Sequence, residues 1–137
     1  MRKYRFDKND FKVRVSEGNV YKLYRIYSCT DKYGLHLGEK GGYIADGATL
    51  SHEDSCWVDR LSMIHPGVHL SGNSKLFMSE IMGNFDIVGG IYDIALLINR
   101  TEERIKYGHH TYNQIVEYNS DGISTSNNLT IPREKLG

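Results

Sequence analysis

Between Ile44 and Ile94 an aliphatic residue or Met returns every sixth position. Ile44 and Leu50 open the series; after a two-residue slip come Val58, Ile64, Leu70, Leu76, Met82, Val88 and Ile94. A spacing of six is neither the 3.6 of an α-helix nor the plain alternation of a lone strand. It is the period of hexapeptide β-helices, in which short strands stack coil upon coil. In an extended segment the residue two before each anchor shares its face. Those positions hold Ala48, Cys56, Ser62, Val68 and Ser74, small or medium side chains that fit beside a large anchor in a narrow interior. Gly47, Gly67, Gly72 and Asn73 then fall near corners, where a positive φ is often needed. The expected fold is mainly β: a short left-handed parallel β-helix with about 18 residues per coil.

Past Leu76 the pattern deteriorates. The small-residue slots would hold Glu80 and Asp86, and an unpaired carboxylate is costly to bury. Either the register shifts by one, turning Ile81, Phe85 and Ile87 inward, or the coil opens. Ile44 to Met82 gives room for little more than two coils. A single domain of 137 residues is therefore divided into an N-terminal antiparallel cap (1–42), coils (43–90), and a hairpin, short helix and tail (91–137).

In the cap, Phe11–Val15 alternates, Ser16–Asn19 supplies a turn, and Val20–Tyr27 alternates again. Tyr21, Leu23, Arg25 and Tyr27 share one face; Val20, Lys22, Tyr24 and Ile26 share the other. Such a sheet would cover one end of the stack, which otherwise exposes apolar side chains and strand edges. Thr30–Gly42, with Gly34, Gly38, Gly41 and Gly42, reads as a tight lead-in to the first coil, since it lacks the ending of a phosphate-binding loop. Residues 91–112 read as a hairpin turning at Thr101–Glu103. Asn113–Tyr118 reads as a short helix capped by Thr111 or Asn113. The last dozen residues are expected to be mobile or docked on a neighbour.

Lys plus Arg and Asp plus Glu balance at 17 each. That removes the basic footprint of general nucleic-acid binding and the acidic excess of a nucleic-acid mimic. Zero net charge favours self-association, so a homo-oligomer, dimer or trimer, is expected. Cys29 and Cys56 form neither a disulfide framework nor a Cys-x-x-Cys pair and read as reduced thiols. The charged opening residues and the lack of a long apolar run imply no signal peptide and no membrane partner. The expected place of work is the cytoplasm.

The segment Leu23-Tyr24-Arg25-Ile26, the motif Gly41-Gly42-Tyr43-Ile44, the segments Leu50-Ser51-His52 and Cys56-Trp57-Val58, and the hexad Leu70-Ser-Gly-Asn-Ser-Lys together resemble a family of small phage and prophage proteins. The likeness covers most of the chain, although this sequence has few hexads close to type. It implies a β-helix carried by a mobile genetic element that works in a host cell, and no established chemistry.

Six histidines, His36, His52, His65, His69, His109 and His110, raise a metal question. Zinc needs three converging imidazoles and an open position for water. His52, His65 and His69 form the one set that a coil repeat brings near, by resemblance to gamma-type carbonic anhydrases. Resemblance to hexapeptide acyltransferases would instead make His52 or His69 a general base. Neither association has its full apparatus here, so no catalytic residue and no cofactor is expected. Ten tyrosines point elsewhere, because aromatics give large contact area at low entropic cost. The expected partner surface comprises Tyr21, Tyr24, Arg25, Tyr27, Tyr33, Lys40, Tyr43 and Arg60. Its partner would be a host protein or nucleoprotein, or a small nucleotide gripped by cationic forks and aromatic stacking. The expected role is a non-enzymatic interaction protein, such as a host-defence inhibitor.

Overall fold

The computed structural model describes residues 2–127, all in strands, turns and loops. β1 (Tyr4–Ser16) and β2 (Asn19–Ser28) form an antiparallel hairpin, and β3 (Lys40–Ala45) pairs antiparallel with β2. β3 is also the first strand of the first coil, which continues through β4 (Thr49–Leu50) and β5 (Trp57–Val58). The second coil is β6 (Met63–Ile64), β7 (Val68–Leu70) and β8 (Lys75–Phe77). The third is β9 (Glu80–Met82), β10 (Phe85–Ile87) and β11 (Ile91–Asp93). The fourth is β12 (Leu96–Asn99), β13 (Ile105–Tyr107) and β14 (Thr111–Tyr112). β15 (Gln114–Asn119) starts a further turn, and β16 (Gly122–Asn127) folds back antiparallel upon it.

Successive coils pair in parallel, so the chain is a parallel β-helix of about four turns with three flat faces. The first face runs β1-β2-β3-β6-β9-β12-β15-β16, the second β4-β7-β10-β13, and the third β5-β8-β11-β14. One apolar column lines each face from within. Ile44, Ile64, Ile81, Leu97 and Val116 stack in register on the first. Leu50, Leu70, Ile87 and Tyr107 do so on the second, and Val58, Leu76 and Tyr92 on the third. All are buried. Each such side chain contributes about 1.5–3 kcal/mol by leaving water.

The hexad anchors from Ile44 to Leu76 are buried as expected, as are Cys56, Ser62, Val68 and Ser74. Beyond Leu76 the register shifts by one. Ile81, Phe85 and Ile87 are inside, whereas Val88 is exposed and Met82 half-buried. The cause is a short corner: Met78 turns left-handed at φ 47°, so Ile81 rather than Met82 reaches the axis. Glu80 is thereby carried to the outside. Two expectations fail. Residues 91–112 are no hairpin but strands of three different faces, each paired in parallel with the preceding coil and, for β11 and β12, with the following one as well. Residues 113–118 are no helix: Asn113 is a left-handed corner at φ 56°, and β15 alternates with Val116 inward. The hairpin belongs to β15 and β16. The coils thus run past residue 90, and the expectation for the chain's end falls mostly on residues outside those described.

The motif Gly41-Gly42 and the motif Cys56-Trp57-Val58 are one packing unit. A Cβ on Gly41 would sit 2.7 Å from Ile26 and 2.8 Å from Trp57, and one on Gly42 would strike the carbonyl oxygens of Ser62 and Asp59. Glycine is needed at both places for closeness, not for an unusual φ. Below that point a serine ladder fastens the corner between the third and first faces. Ser62 Oγ accepts from Ser79 N–H at 2.9 Å, and Ser79 Oγ accepts from Ala95 N–H at 3.0 Å. Both serines are buried, and their bonds supply acceptors to backbone groups that would otherwise have none. Among the described residues no helix is long and apolar enough to cross a membrane.

Candidate functional site

Three short segments meet beside the first coil: residues 2–4, the loop 30–33, and the loop 51–54 between β4 and β5. They enclose a half-open cavity of about 300 Å³ lined by Lys3, Thr30, Lys32, Tyr33, His52 and Glu53. Its floor is Lys3, whose ammonium is 1% exposed. Nζ donates to the carbonyls of Asp54 at 2.7 Å and Cys56 at 2.6 Å, with the Asp54 carboxylate at 3.9 Å. Burial lowers the Lys3 pKa from its usual value, and the same burial pushes the neighbouring Cys56 thiol up to about 12. Cys56 is therefore an inert thiol here, and Lys3 pins the loop.

His52 is held on two sides. Its ring stacks on Tyr4 at 4.1 Å and 7°, and the backbone N–H of Lys3 donates to Nδ1 at 3.0 Å. A backbone amide can only donate, so Nδ1 must keep its lone pair and the neutral ring carries its proton on Nε2. Desolvation, with Arg2 and Lys3 nearby, lowers the His52 pKa, in keeping with that neutral form. The cavity is thus offered a proton donor rather than a base. A general base at His52, as an acyltransferase would require, is opposed by this bond. Opposite stands Tyr33, left-handed at φ 60°, its ring 5.8 Å from Lys3 Nζ and its hydroxyl 3.5 Å from the Glu53 carbonyl.

The other expected residues divide among three places. Tyr21, Arg25, Tyr27 and Tyr43 lie along the outer side of the first face. Arg25 is committed internally: it donates to the carbonyls of Gly41 and Arg60 at 2.8 Å each, to Tyr43 Oη at 3.0 Å and to Asp10 at 3.2 Å. Asp10 arrives there on a bulge at Lys8–Asp10 that interrupts the β1–β2 ladder. The Tyr43 hydroxyl donates to Asp10 at 2.7 Å, and this bond, with Arg25, holds the Asp10 carboxyl below its usual pKa. Tyr24 faces the opposite way, with Lys8 4.2 Å above its ring. Lys40 begins β3, Arg60 is exposed in the turn after β5, and Tyr33 belongs to the cavity.

Sequence spacing could not assemble the network Tyr21–His65–Glu80. His65 is 3% exposed; its Nε2 lies 2.5 Å from Glu80 Oε2 and its Nδ1 2.7 Å from the Tyr21 hydroxyl. The carboxylate accepts from Nε2–H, so Nδ1 accepts from the phenol. Both ring nitrogens are occupied, and desolvation with the charge of Glu80 raises the Tyr21 pKa. The trio therefore clamps the hairpin to the coils without an activated group. Its one sequence signal was Glu80 itself, a carboxylate in a slot that could not be an inner one.

The three histidines of the metal hypothesis are kept apart. His52 stacks on Tyr4, His65 is clamped on the first face, and His69 faces out from the second with Asp86 at 3.4 Å. Among the described residues no three His, Cys, Asp or Glu side chains are grouped as a metal would need.

The third face is different in kind. Its outward rows are Trp57–Lys75–Ile91 and Phe77–Asp93–Tyr112, each in register across neighbouring strands. Phe77, Met78, Ile91 and Tyr112 are 42%, 50%, 45% and 66% exposed. A groove of about 310 Å³ runs between Tyr33, Leu35, Trp57, Lys75, Phe77 and Ile91. The corner beside this face is made by Met78, Ile94 and Asn113 at φ 47°, 53° and 56°, positions where glycine would be the unstrained choice.

Comparison with protein-family models and with curated proteins gives no match to this chain.

Proposed function

We propose that this chain is a non-enzymatic interaction protein that takes a protein partner on its third face. One observation carries the reading: Met78 and Ile94 stand in left-handed conformations beside exposed Phe77, Ile91 and Tyr112. A non-glycine residue in that conformation costs roughly 1–2 kcal/mol. Strain kept at a surface of large apolar side chains points to a use for those side chains. The polar groups Lys3, Arg25 and His65 are bound up in internal contacts. The resemblance to phage and prophage proteins makes the partner a host macromolecule met in the cytoplasm, and a defence component fits that setting. Self-association through the same face is the homo-oligomeric form of the proposal.

The test is capture from host lysate, read by mass spectrometry, alongside oligomeric state by light scattering. Phe77→Ser and Tyr112→Ser should lose a partner that the wild type and Val15→Ser, altered on the distant hairpin, both retain. Equal capture by all four proteins, with unchanged oligomeric state, would remove the third face from consideration.

A further inference from the structure

We infer that the cavity formed by Thr30, Lys32, Tyr33, His52 and Glu53 binds a small anion bearing a flat ring. That chemistry is shared by nucleoside monophosphates and aromatic carboxylates. The site lies apart from the apolar rows proposed for a protein partner, although Tyr33 lines both the cavity and the third-face groove.

The argument begins with His52. Its orientation is fixed by a backbone donor on one side and a stacked ring on the other, and among the described residues Nε2–H has no partner. A fixed donor at a cavity wall asks for an acceptor atom, because pre-orientation removes much of the entropic cost of binding. Next comes charge. Lys32 is exposed at the rim, and the buried ammonium of Lys3 forms the floor. The positive field of Arg2 and Lys3 is the same one that disfavours a protonated His52. It favours an anion in the cavity.

Tyr33 supplies the third element. Its left-handed φ of 60°, followed by Gly34 at 77°, sets a ring that is 41% exposed against the opening. A volume of about 300 Å³ is at the small end of ligand sites, enough for one ring and one charged group. Glu53, also at the rim, selects against a ligand whose negative charge is spread all round.

The experiment is an NMR titration of the full-length protein, following the His52 ring nitrogens. The free protein should show the Nε2–H tautomer. AMP and benzoate are the two ligand arms; adenosine and inorganic phosphate carry the ring or the charge alone. Saturable shifts with a Kd below about 1 mM are expected for at least one ligand arm, and neither adenosine nor phosphate should match it. AMP alone would identify the nucleotide class, benzoate alone the carboxylate class. Tyr33→Leu and Lys32→Ala should each weaken binding at least about tenfold with an unchanged melting temperature. These variants keep the test sharp if His52→Asn proves unstable. No saturable shift with either ligand, or shifts indifferent to both variants, would overturn the inference.

Discussion

The corner between the first and second faces and the corner between the third and first faces meet the same backbone demand in opposite ways. At the former, Gly47, Gly67 and Gly83 take φ of 86°, 92° and 100°. At the latter, Met78, Ile94 and Asn113 take φ of 47°, 53° and 56°. Crowding explains two of these glycines, whereas Gly47 would meet only Pro66 at an ordinary 3.5 Å and answers to its φ alone. A Cβ on Gly67 would strike the Asn84 side chain, and one on Gly83 the Asn99 carbonyl. The other corner has room outside and a serine ladder inside, so a side chain is tolerated there. Tolerance is not a benefit, however, and two apolar side chains in a costly conformation need a reason beyond the fold.

The largest effect expected from this contrast is at Gly83. Gly83→Ala adds a methyl group against backbone and holds an L residue at φ 100°, so a loss of about 3 kcal/mol or more follows. Chemical denaturation would measure it. A loss under about 1 kcal/mol would mean that the corner relaxes freely, and the contrast between corners would disappear.

How far the sequence could be read follows from the same geometry. Where each face consumes six residues, from Val58 to Leu76, the period alone placed every anchor. Met78 and Ile94 each turn a corner with a single left-handed residue, so spacing drops to five between Leu76 and Ile81 and between Tyr92 and Leu97. A fixed count of six then picks Val88, which is exposed. Left-handed Ile is rare enough that no pattern rule would assign it. Asn113 misled differently: Asn suits both a helix cap and a left-handed corner, and only the parallel pairing of β12 with β15 decides between them. For the cavity, His52 and Tyr33 were visible as residues. The contacts that give His52 its meaning come from Lys3 and Tyr4, about fifty positions away, and no local spacing encodes them.

A smaller effect of opposite sign is expected at the non-glycine corner. Met78→Gly relieves left-handed strain of roughly 1–2 kcal/mol against a glycine entropy cost of up to about 1 kcal/mol. The variant should melt at the wild-type temperature or about 3 °C above it. It should also hold a third-face partner less well. Greater stability joined to weaker capture is a pairing that a purely structural role for Met78 does not produce. A lower melting temperature would instead make Met78 part of the fold's own packing.

The first coil closes its second corner by yet another means, the long loop after β4, and this gives the smallest expected effect. No left-handed residue holds that loop. Lys3 Nζ fastens it from one side, Asp54 accepts from Gly72 N–H at 2.7 Å, and His52 accepts from Lys3 N–H. Protonating Nδ1 would oppose two donors and break the last of these bonds. Because the folded pKa of His52 is lowered, this contribution is complete above the unfolded value near 6.5. It is lost as pH falls from there through the folded value. The melting temperature of the wild type should therefore decline by a degree or two more than that of His52→Asn between about pH 7.5 and 5, since Asn offers an acceptor that does not titrate. Parallel pH profiles would show that the loop does not depend on the neutral imidazole, and the donor assigned to the cavity would lose its basis.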